Sequence, residues 1–284
     1  MQISSDMIKT LRDRTGAGMM DCKKALEASD GNIEAAVEHL RKKGAAVAQK
    51  RADRSAKEGM ILTRVTPDGT RGVIVEINSE TDFVGRSEDF VKFAERVAET
   101  LEVKQPSSLE ALNAATTSEG KSVEQLLNDV LAKVGEKVSI RRFISVASRA
   151  GRVSAYTHLG NKIGVLVDLV GSGGNEAAGR DVAMQIAAMN PMVISREQIE
   201  KAVIDRELEI YRTQAANEGK PPHVVDRIAN GKLEKFFQEV CLLEQTFIKD
   251  PGKTVREYLQ QAGEGLTVEC FTRFHLGEEI AEQQ

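Results

Sequence analysis

A chain of 284 residues is long enough for two or more domains, and its 41% apolar and 29% charged residues are typical of a globular protein with a buried core. The net charge of −4 excludes a general basic field for nucleic acids, and no apolar stretch reaches the roughly 18 residues of a membrane span. Cys22, Cys241 and Cys270 are far apart and predict neither a disulfide framework nor a zinc site. The polar N-terminus is unlike a secretion signal, so we expect a cytoplasmic protein.

The first 45 residues carry apolar side chains at helical spacing in three short runs. Glycine-containing breaks at residues 15–18 and 29–32 separate the runs. The spaced side chains are Ile3, Met7 and Leu11, then Met19, Cys22 and Leu26, and then Ile33, Val37 and Leu40. We expect residues 1–45 to form a small three-helix bundle, with Gly44 just beyond the end of the third helix.

Residues 41–57 form a basic segment with seven Lys or Arg and one acidic residue. Such a segment can contact nucleic acid or an acidic partner, or it can be a solvated linker. No aromatic side chain is interleaved for base stacking. We therefore interpret residues 46–57 as a basic linker between the bundle and the rest of the chain.

The next segment has the pattern of a β-hairpin followed by a helix. Residues 67–69, Pro-Asp-Gly, supply the turn, and the second strand alternates at Val73, Val75 and Ile77. Ser87 is placed to cap the helix. The buried stripe of that helix is predicted to consist of Phe90, Phe93, Val97 and Leu101.

A shift of 92 positions brings this pattern onto a second copy without a gap. Gly72 falls on Gly164, and residues 73–77 fall on residues 165–169. We interpret the match as two related hairpin-plus-helix units in one antiparallel α+β core. We divide the core into residues 58–140, 141–194 and 247–276, with an inserted segment 195–246 and a tail 277–284.

Strands and helices around the second copy complete the predicted architecture. Residues 137–148 alternate as a strand that we place beside the second unit, and residues 266–277 form a late strand. The inserted segment 195–246 breaks at residues 219–222, which predicts two antiparallel helices that protrude as an arm. Its spaced apolar residues are Ile199, Val203 and Ile210, and then Val224, Ile228 and Val240.

Thr81, Asp82 and Phe83 lie between the second strand and the helix of the first unit. The corresponding residues of the second unit are residues 173–175, Gly-Gly-Asn, so the same connection is made there without a bulky side chain. Phe83 therefore either packs on its own domain or is held out for a partner. The residues alone leave both readings open.

No residue pattern in the chain indicates catalysis or metal binding. His39, His158, His223 and His275 are scattered without the spacing of a metal motif. We therefore predict a binding protein and not an enzyme, with no cofactor. Two alternatives are an enzyme whose site is assembled from distant residues and an RNA-binding protein that uses residues 41–57.

Two long stretches carry a more specific signal. Residues 11–26, LRDRTGAGMMDCKKAL, and residues 76–86, EINSETDFVGR, resemble the two signature segments of bacterial elongation factor Ts. The sequence YTHLGNKIGVLVDL at residues 156–169 fits the same family. The resemblance covers essentially the whole chain.

The resemblance implies a guanine-nucleotide exchange factor that acts on elongation factor Tu and does not itself bind nucleotide. It implies a bundle like ubiquitin-associated domains and a coiled-coil arm. Independently of the resemblance, the narrow apolar seams of residues 195–246 predict that the arm serves self-association, as in a homodimer or a 2:2 complex with the partner, or a peripheral contact. In the family, the Phe of the Asp-Phe pair inserts between helices of the GTPase domain and disturbs the magnesium and phosphate contacts of the nucleotide. The implied partner-binding residues are Thr81, Asp82, Phe83, Arg12, Met19, Met20 and His158.

Two features depart from the pattern of the family. Gly85 stands where Ser or Ala is usual, which predicts a looser exit from the Asp-Phe loop. The sequence also ends soon after FHLGEEI, whereas some members continue into an extra C-terminal helix. The resemblance therefore does not extend to a partner contact made by that helix.

Overall fold

The computed structural model describes residues 3–51, 53–158, 160–172 and 176–279, without the side chains of residues 45–50. In chain order the elements are α1 (Ser5–Thr15), α2 (Met19–Ala28), α3 (Ile33–Lys50), β1 (Glu58–Val65), β2 (Arg71–Ser79), α4 (Asp82–Gly85), α5 (Glu88–Lys104), α6 (Leu109–Ala114), α7 (Val123–Val134), β3 (Val138–Ala147), β4 (Gly151–Thr157), β5 (Ile163–Val170), α8 (Glu176–Met189), α9 (Lys201–Asn217), α10 (Pro222–Val240), β6 (Thr246–Phe247), β7 (Asp250–Thr254), α11 (Val255–Ala262) and β8 (Thr267–His275). Helices and small antiparallel sheets confirm the predicted α+β class. Within the described ranges, no helix is long and apolar enough to cross a membrane.

The three predicted helices of the N-terminal bundle are present as α1 to α3. Ser4 caps α1 by accepting a hydrogen bond from the Met7 N–H at 3.2 Å. Gly16 ends α1 with a φ of 67°, a conformation that L side chains rarely adopt. The small core of the bundle consists of fully buried side chains, among them Leu11, Cys22, Ala25, Leu26 and Ala36.

The third helix is longer than the sequence predicts. It continues through Gly44 to Lys50, so the expectation that Gly44 follows the helix is wrong, and the first residues of the predicted linker 46–57 are helical. Gly44 faces α7, where an added Cβ atom would lie 2.6 Å from the carbonyl oxygen of Asn128. The glycine therefore permits a close contact between two helices, and the bundle packs directly on the first core unit.

The first core unit is a three-stranded antiparallel sheet that is covered by helices. Its strand order is β1-β2-β3, and Gly69 takes a φ of 71° in the turn between β1 and β2. Ser87 caps α5 as predicted, because its hydroxyl accepts the Phe90 N–H at 3.4 Å. The predicted stripe of α5 is buried in the core of this unit: Phe90, Phe93, Val97 and Leu101.

Strand β3 belongs to the first unit, and its placement beside the second unit was wrong. It pairs with β2 along its whole length, from Arg71 opposite Ala147 to Ser79 opposite Val138. Residues 72–79 of β2 are all buried, so the backbone groups of this strand need partners on both edges. The predicted boundary at residue 140 therefore divides a strand, and the first unit extends to Ala147.

The second unit repeats the arrangement of the first. Its strand order is β4-β5-β8, and α8 packs on this sheet. The pairing shifts between Glu76 and Ile77 in the first sheet and between Asp168 and Leu169 in the second, which is the same offset of 92 residues found in the sequence. The counterpart of the Thr-Asp-Phe triplet, residues 173–175, lies outside the described residues.

The two sheets pack face to face through equivalent glycines. An added Cβ atom at Gly72 would lie 2.6 Å from the Val153 side chain, and one at Gly164 would lie 2.5 Å from the Ile61 side chain. Ile61 and Val153 are themselves related by the 92-residue offset. Glycine at both positions therefore lets the sheets approach each other around an approximate two-fold relationship.

The inserted segment forms two antiparallel helices, α9 and α10, with a separate apolar cluster. Its described members include Ile204, Leu208, Tyr211, Leu233 and Phe237. Ile210, which the sequence pattern assigned to the seam, is 41% exposed. The neighbouring residues Leu208 and Tyr211 occupy the inner face instead, because only one helical stripe can face α10.

The helical arm also ends earlier than the sequence predicts. The pair ends at Val240, and Leu242, Leu243 and Phe247 are buried in the core of the second unit. Residues 242–246 therefore belong to the second unit rather than to the predicted arm 195–246, whereas Cys241 still packs in the apolar cluster of the arm. Hydrogen bonds from the Met192 N–H to the Val240 carbonyl and from the Leu242 N–H to the Val193 carbonyl, both 2.9 Å, bring the two ends of the arm together.

Candidate partner-binding site

Phe83 projects from the molecule directly after the central strand of the first sheet. Residues 82–85 form the single turn of α4 where the sequence predicted a loop, and the Thr81 hydroxyl caps the turn by accepting the Val84 N–H at 3.4 Å. The Phe83 side chain is 84% exposed, more than any other large hydrophobic side chain among the described residues. Of the two readings that the sequence left open, the structure excludes packing of Phe83 in the core of its own domain.

Thr81 is held from the other side by a residue far away in the chain. The carboxylate of Glu136 accepts the Thr81 N–H at 3.1 Å and the Thr81 hydroxyl at 2.9 Å. The Ser79 hydroxyl donates to the Thr81 carbonyl oxygen at 2.8 Å. The backbone that leads into α4 is therefore fixed to both β2 and the end of α7.

Glu80, the residue before the triplet, is a second anchor with an ionised side chain. Its carboxylate accepts the Lys137 N–H at 2.7 Å and forms ion pairs with Arg51 at 2.8 Å and Arg54 at 3.1 Å. Burial works against ionisation of Glu80, but these hydrogen bonds outweigh it and lower the pKa of Glu80 to about 2. The side chain is charged throughout the physiological pH range.

Asp82 stands beside Phe83 in the first turn of α4. Its carboxylate forms an ion pair with Arg86 at 2.9 Å, one helical turn later. Both side chains are well exposed, at 41% for Asp82 and 77% for Arg86. The carboxylate is therefore accessible to a partner, and Arg86 is the cation that a partner group would have to replace or share.

Gly85 is buried at the end of α4. An added Cβ atom at this position would lie 3.1 Å from the Gly59 Cα atom and 3.3 Å from the Ser79 hydroxyl oxygen. The sequence predicted a looser exit from the loop at Gly85. The structure shows a close contact between α4 and β1, which a glycine makes possible with little displacement of its neighbours.

The implied partner residues of the bundle lie where α1 meets α2. Arg12 is exposed in the last turn of α1. Met19 and Met20 begin α2 and are 60% and 62% exposed. Two adjacent flexible thioether side chains form a small adaptable apolar surface.

His158 lies on a third element, just after β4. The residue is exposed, and its Nδ1 atom is 2.9 Å from the Tyr156 hydroxyl. Its backbone N–H donates to the Ile163 carbonyl at 2.9 Å, which fixes the start of the turn between β4 and β5. The seven implied residues therefore form three groups on three elements: the α4 turn, the α1–α2 junction and the β4–β5 turn.

The basic segment 41–57 is largely neutralised by ion pairs within the chain. Lys43 pairs with Asp21 at 2.5 Å, Arg41 with Asp129 at 3.6 Å and Lys42 with Glu38 at 2.8 Å; Arg51 and Arg54 both pair with Glu80. Five of the seven cations thus have an acidic partner. This arrangement leaves little free positive charge for phosphate groups, so the RNA-binding alternative has no support.

The groove between the bundle and the first unit resembles a ligand site only in size. It has a volume of about 390 Å³, and its charged side chains are paired: Lys133 with Asp89 at 2.8 Å and Lys121 with Asp129 at 2.6 Å within the first unit, and Arg41 of the bundle with Asp129 at 3.6 Å. Among the described residues, no group of three or more His, Cys, Asp or Glu side chains is placed to hold a metal ion. The charges that line this groove are therefore already paired within the protein.

Four residues that hold this site were not expected from the sequence: Glu80, Glu136, Arg51 and Arg54. Glu80 lies inside the quoted motif, but its role depends on partners that are 26 to 57 residues distant. Glu136 lies 55 residues from Thr81 and carries no local signal. Thr is a residue type that favours helix caps, so Thr81 is the local signal that could have indicated an ordered turn at the triplet.

Comparisons with known proteins agree on one family. The family model described as "Elongation factor TS" matches residues 80–278. An elongation factor Ts of Chloroherpeton thalassium is 46% identical over 286 residues, which cover 98% of this chain and 99% of that protein. Proteins of the same name from Trichlorobacter lovleyi and Clostridium perfringens are each 43% identical and cover 100% and 99% of this chain, and 96% and 95% of their own lengths.

Proposed function

This chain belongs to the elongation factor Ts family, and we propose that it is the guanine-nucleotide exchange factor that releases GDP from elongation factor Tu during translation. The family as a whole implies a role in nucleotide exchange and an interaction with elongation factor Tu. The observation that carries the finer proposal is the exposed Phe83 on an anchored turn. In this proposal Phe83 is the group that acts on the GTPase.

The energetics of an exposed aromatic side chain fit this task. Burying a Phe side chain in a partner is favourable by about 1.5–3 kcal/mol, and at 84% exposure Phe83 has most of that burial still to gain. The gain is available only if the partner opens a pocket between its helices. Phe83 therefore favours a conformation of the GTPase in which the helices that hold the magnesium ion and the phosphates are displaced.

Thermodynamic linkage explains how such a contact releases nucleotide. If the displaced conformation binds this chain more tightly and GDP less tightly, each ligand weakens the binding of the other by the same free energy. The chain then needs no covalent chemistry and no nucleotide site of its own. Phe83 acts in this proposal as a wedge between helices of the GTPase. Asp82 acts in the same place, because its accessible carboxylate can pair with a partner group beside this wedge.

The other two groups of residues supply affinity in this proposal. The exposed Met19 and Met20 with Arg12 offer an apolar and basic surface on the bundle, and His158 offers a contact from the second unit. Three separated contacts orient Phe83 on the partner. Changes to Met19 or Met20 are therefore expected to raise the concentration of chain that gives half-maximal exchange, with little change in the maximal rate.

The test is the release of a fluorescent GDP analogue from elongation factor Tu in a stopped-flow instrument. The proposal predicts that release accelerates with the concentration of this chain and reaches a plateau. It also predicts that a small amount of chain releases GDP from a large excess of the GTPase. No acceleration at any concentration, with complex formation intact, would contradict the proposal.

A further inference from the structure

Two glutamates, Glu80 and Glu136, hold the backbone just before the α4 turn. The carboxylate of each accepts the backbone N–H of the residue that follows the other. Glu136 accepts the N–H of Thr81, the residue after Glu80, at 3.1 Å. Glu80 accepts the N–H of Lys137, the residue after Glu136, at 2.7 Å. This reciprocal pair joins the end of β2 to the start of β3 just before the chain turns into α4.

The segment after the bundle is tied to the same point. Arg51, the residue after α3, and Arg54 both pair with Glu80. The Lys137 ammonium group donates to the Arg54 carbonyl at 2.9 Å. The Glu80 side chain is only 12% exposed and that of Arg51 29%, so this pair is less screened by solvent than an ordinary surface ion pair. The bundle is therefore linked to the α4 turn through Glu80.

The position of Phe83 depends on these anchors because the side chain itself has little contact with its own domain. A turn of four residues is far below the length at which a helix is stable alone. Val84 packs against the core of the first unit and holds one side of the turn. The direction of Phe83 relative to β2 is set by the backbone at residues 80 and 81, where Glu80 and Glu136 act.

We propose that Glu80 and Glu136 are positioning residues for Phe83, and that Arg51 and Arg54 transmit the placement of the bundle to the turn through Glu80. This inference rests on the proposed function, since it assigns a role to residues that act through the wedge. Removing either carboxylate leaves Phe83 present and exposed but lets the turn adopt other orientations. Complex formation through the bundle and His158 then persists, while the displacement of the GTPase helices becomes less efficient.

The expected change is a lower maximal rate of GDP release at saturating chain. Displacements of about 1 Å in a reacting arrangement can reduce rates about 100-fold, and we expect at least about a tenfold loss for Glu136→Ala and for Glu80→Ala. The half-saturating concentration is expected to change much less. A merely structural defect would lower the fraction of folded chain, which raises the apparent half-saturating concentration and leaves the plateau unchanged.

The experiment uses the full-length chain with elongation factor Tu loaded with a fluorescent GDP analogue. The variants are Glu80→Ala, Glu136→Ala, the double variant Arg51→Ala/Arg54→Ala, and Glu136→Gln, which keeps one oxygen to accept the Thr81 N–H. Glu95→Ala, an exposed carboxylate on α5, is the matched control. Each single change is also made in a Phe83→Ala background, because a residue that acts through Phe83 has no further effect once Phe83 is gone.

The inference predicts reduced plateaus for both Ala variants and for the double Arg variant, partial recovery for Glu136→Gln, and no additional loss in the Phe83→Ala background. If Glu80→Ala and Glu136→Ala kept the wild-type plateau rate of GDP release while Phe83→Ala had a reduced one, the inference would be overturned and the proposed function would stand. The inference would also be overturned if each Glu→Ala change lowered the plateau rate by the same factor in the Phe83→Ala background as in the wild type. If Phe83→Ala itself released GDP at the wild-type rate, the proposed function would fail instead.

Folding of the variants is checked separately from their function. Protection of the Thr81 and Val84 amides from hydrogen exchange reports the order of the turn, and protection of the α5 amides reports the order of the core. The inference predicts that Glu136→Ala loses protection at the turn alone. Normal protection at the turn together with a reduced plateau would contradict it, because the effect would then not arise from the position of α4.

Discussion

Phe83 and Phe90 lie on either side of the same helix cap, and the first is 84% exposed while the second is fully buried. Ser87, the cap between them, ends one surface turn and begins the core helix α5. Phe83 is therefore a surface residue and Phe90 a core residue, although only seven positions separate them in the sequence. They offer a matched pair of substitutions with opposite consequences.

The first prediction concerns stability at these two positions. Phe90→Ala leaves a cavity in the core of the first unit and is expected to reduce the free energy of unfolding by about 3–5 kcal/mol. Phe83→Ala removes an exposed side chain and is expected to change it by less than about 0.5 kcal/mol. Urea unfolding followed by circular dichroism measures both. A loss at Phe83 as large as the loss at Phe90 would show that Phe83 packs within its own domain.

The second prediction concerns the contact between the two sheets. Gly72→Ala places a Cβ atom 2.6 Å from the Val153 side chain, and the overpacking is expected to cost about 1–3 kcal/mol of unfolding free energy. Gly231→Ala is the control, because nothing lies within 4 Å of a Cβ atom at that position in α10. The control is expected to stabilise the protein by about 0.5–1 kcal/mol. Equal effects from the two substitutions would contradict the close approach of the sheets at Gly72.

The repeated unit was visible in the sequence because its signals are local. The turn at Gly69, the cap at Ser87 and the alternation along β2 each depend on a few neighbouring residues. The turn and the strand pattern recur after 92 positions, whereas the cap does not, since residue 179 is a glycine within α8. Helical spacing likewise indicated the buried face of α5. The spacing of apolar residues predicts which face of a helix or strand is buried, and the structure buries that face in α5.

Long-range choices were not visible in the sequence. Strand β3 could have joined either sheet by its own pattern, and pairing with β2 depends on an edge that only the folded sheet presents. Gly44 has the usual signature of a helix end, but contact with α7 favours a continuous helix over the local preference. The anchors of the site, Glu80 and Glu136, were missed for the same reason, since their partners are brought near only by the fold.

The third prediction concerns pH. The pKa of Glu80 is lowered from an ordinary value of 4.5 to about 2, so its ionised form stabilises the folded state fully above pH 4.5, and this contribution is lost as the pH falls toward 2. Glu80→Gln removes the charge at every pH. The difference in unfolding free energy between the wild type and Glu80→Gln is expected to be about 1–3 kcal/mol at pH 7 and to shrink as the pH falls below 4.5.

Urea unfolding at a series of pH values from 7 to 3 checks this prediction. The matched control is Glu95→Gln, at an exposed position of α5, which is expected to show little difference from the wild type at any pH. A difference for Glu80→Gln that stayed constant between pH 7 and pH 3 would mean that the folded protein does not lower the pKa of Glu80.

The fourth prediction concerns the helical arm. Replacing residues 195–240 by a short glycine-serine loop is expected to leave a folded core, because the arm has its own apolar cluster. The excision also keeps the hydrogen bonds at its base from the Leu242 and Leu243 N–H groups to the Val193 and Ile194 carbonyls, at 2.9 and 3.0 Å. We expect the variant to keep most of its GDP-release activity and to change its oligomeric mass. Light scattering and stopped-flow release measure the two properties.

A longer excision provides the control for the arm. Removal of residues 195–246 also deletes Leu242 and Leu243 from the core of the second unit, so this variant is expected to be strongly destabilised. If the shorter excision left a folded protein that had lost all exchange activity, the arm would be part of the exchange mechanism and the peripheral role predicted for it would be wrong.

The most direct test of the wedge at Phe83 is the plateau rate of GDP release from elongation factor Tu by Phe83→Ala, measured on the same preparation as its urea unfolding. The account predicts wild-type stability, continued binding to the GTPase and a plateau rate reduced at least about tenfold. An unchanged plateau rate per folded molecule, whatever the stability of the variant, would contradict the account and remove Phe83 from the mechanism.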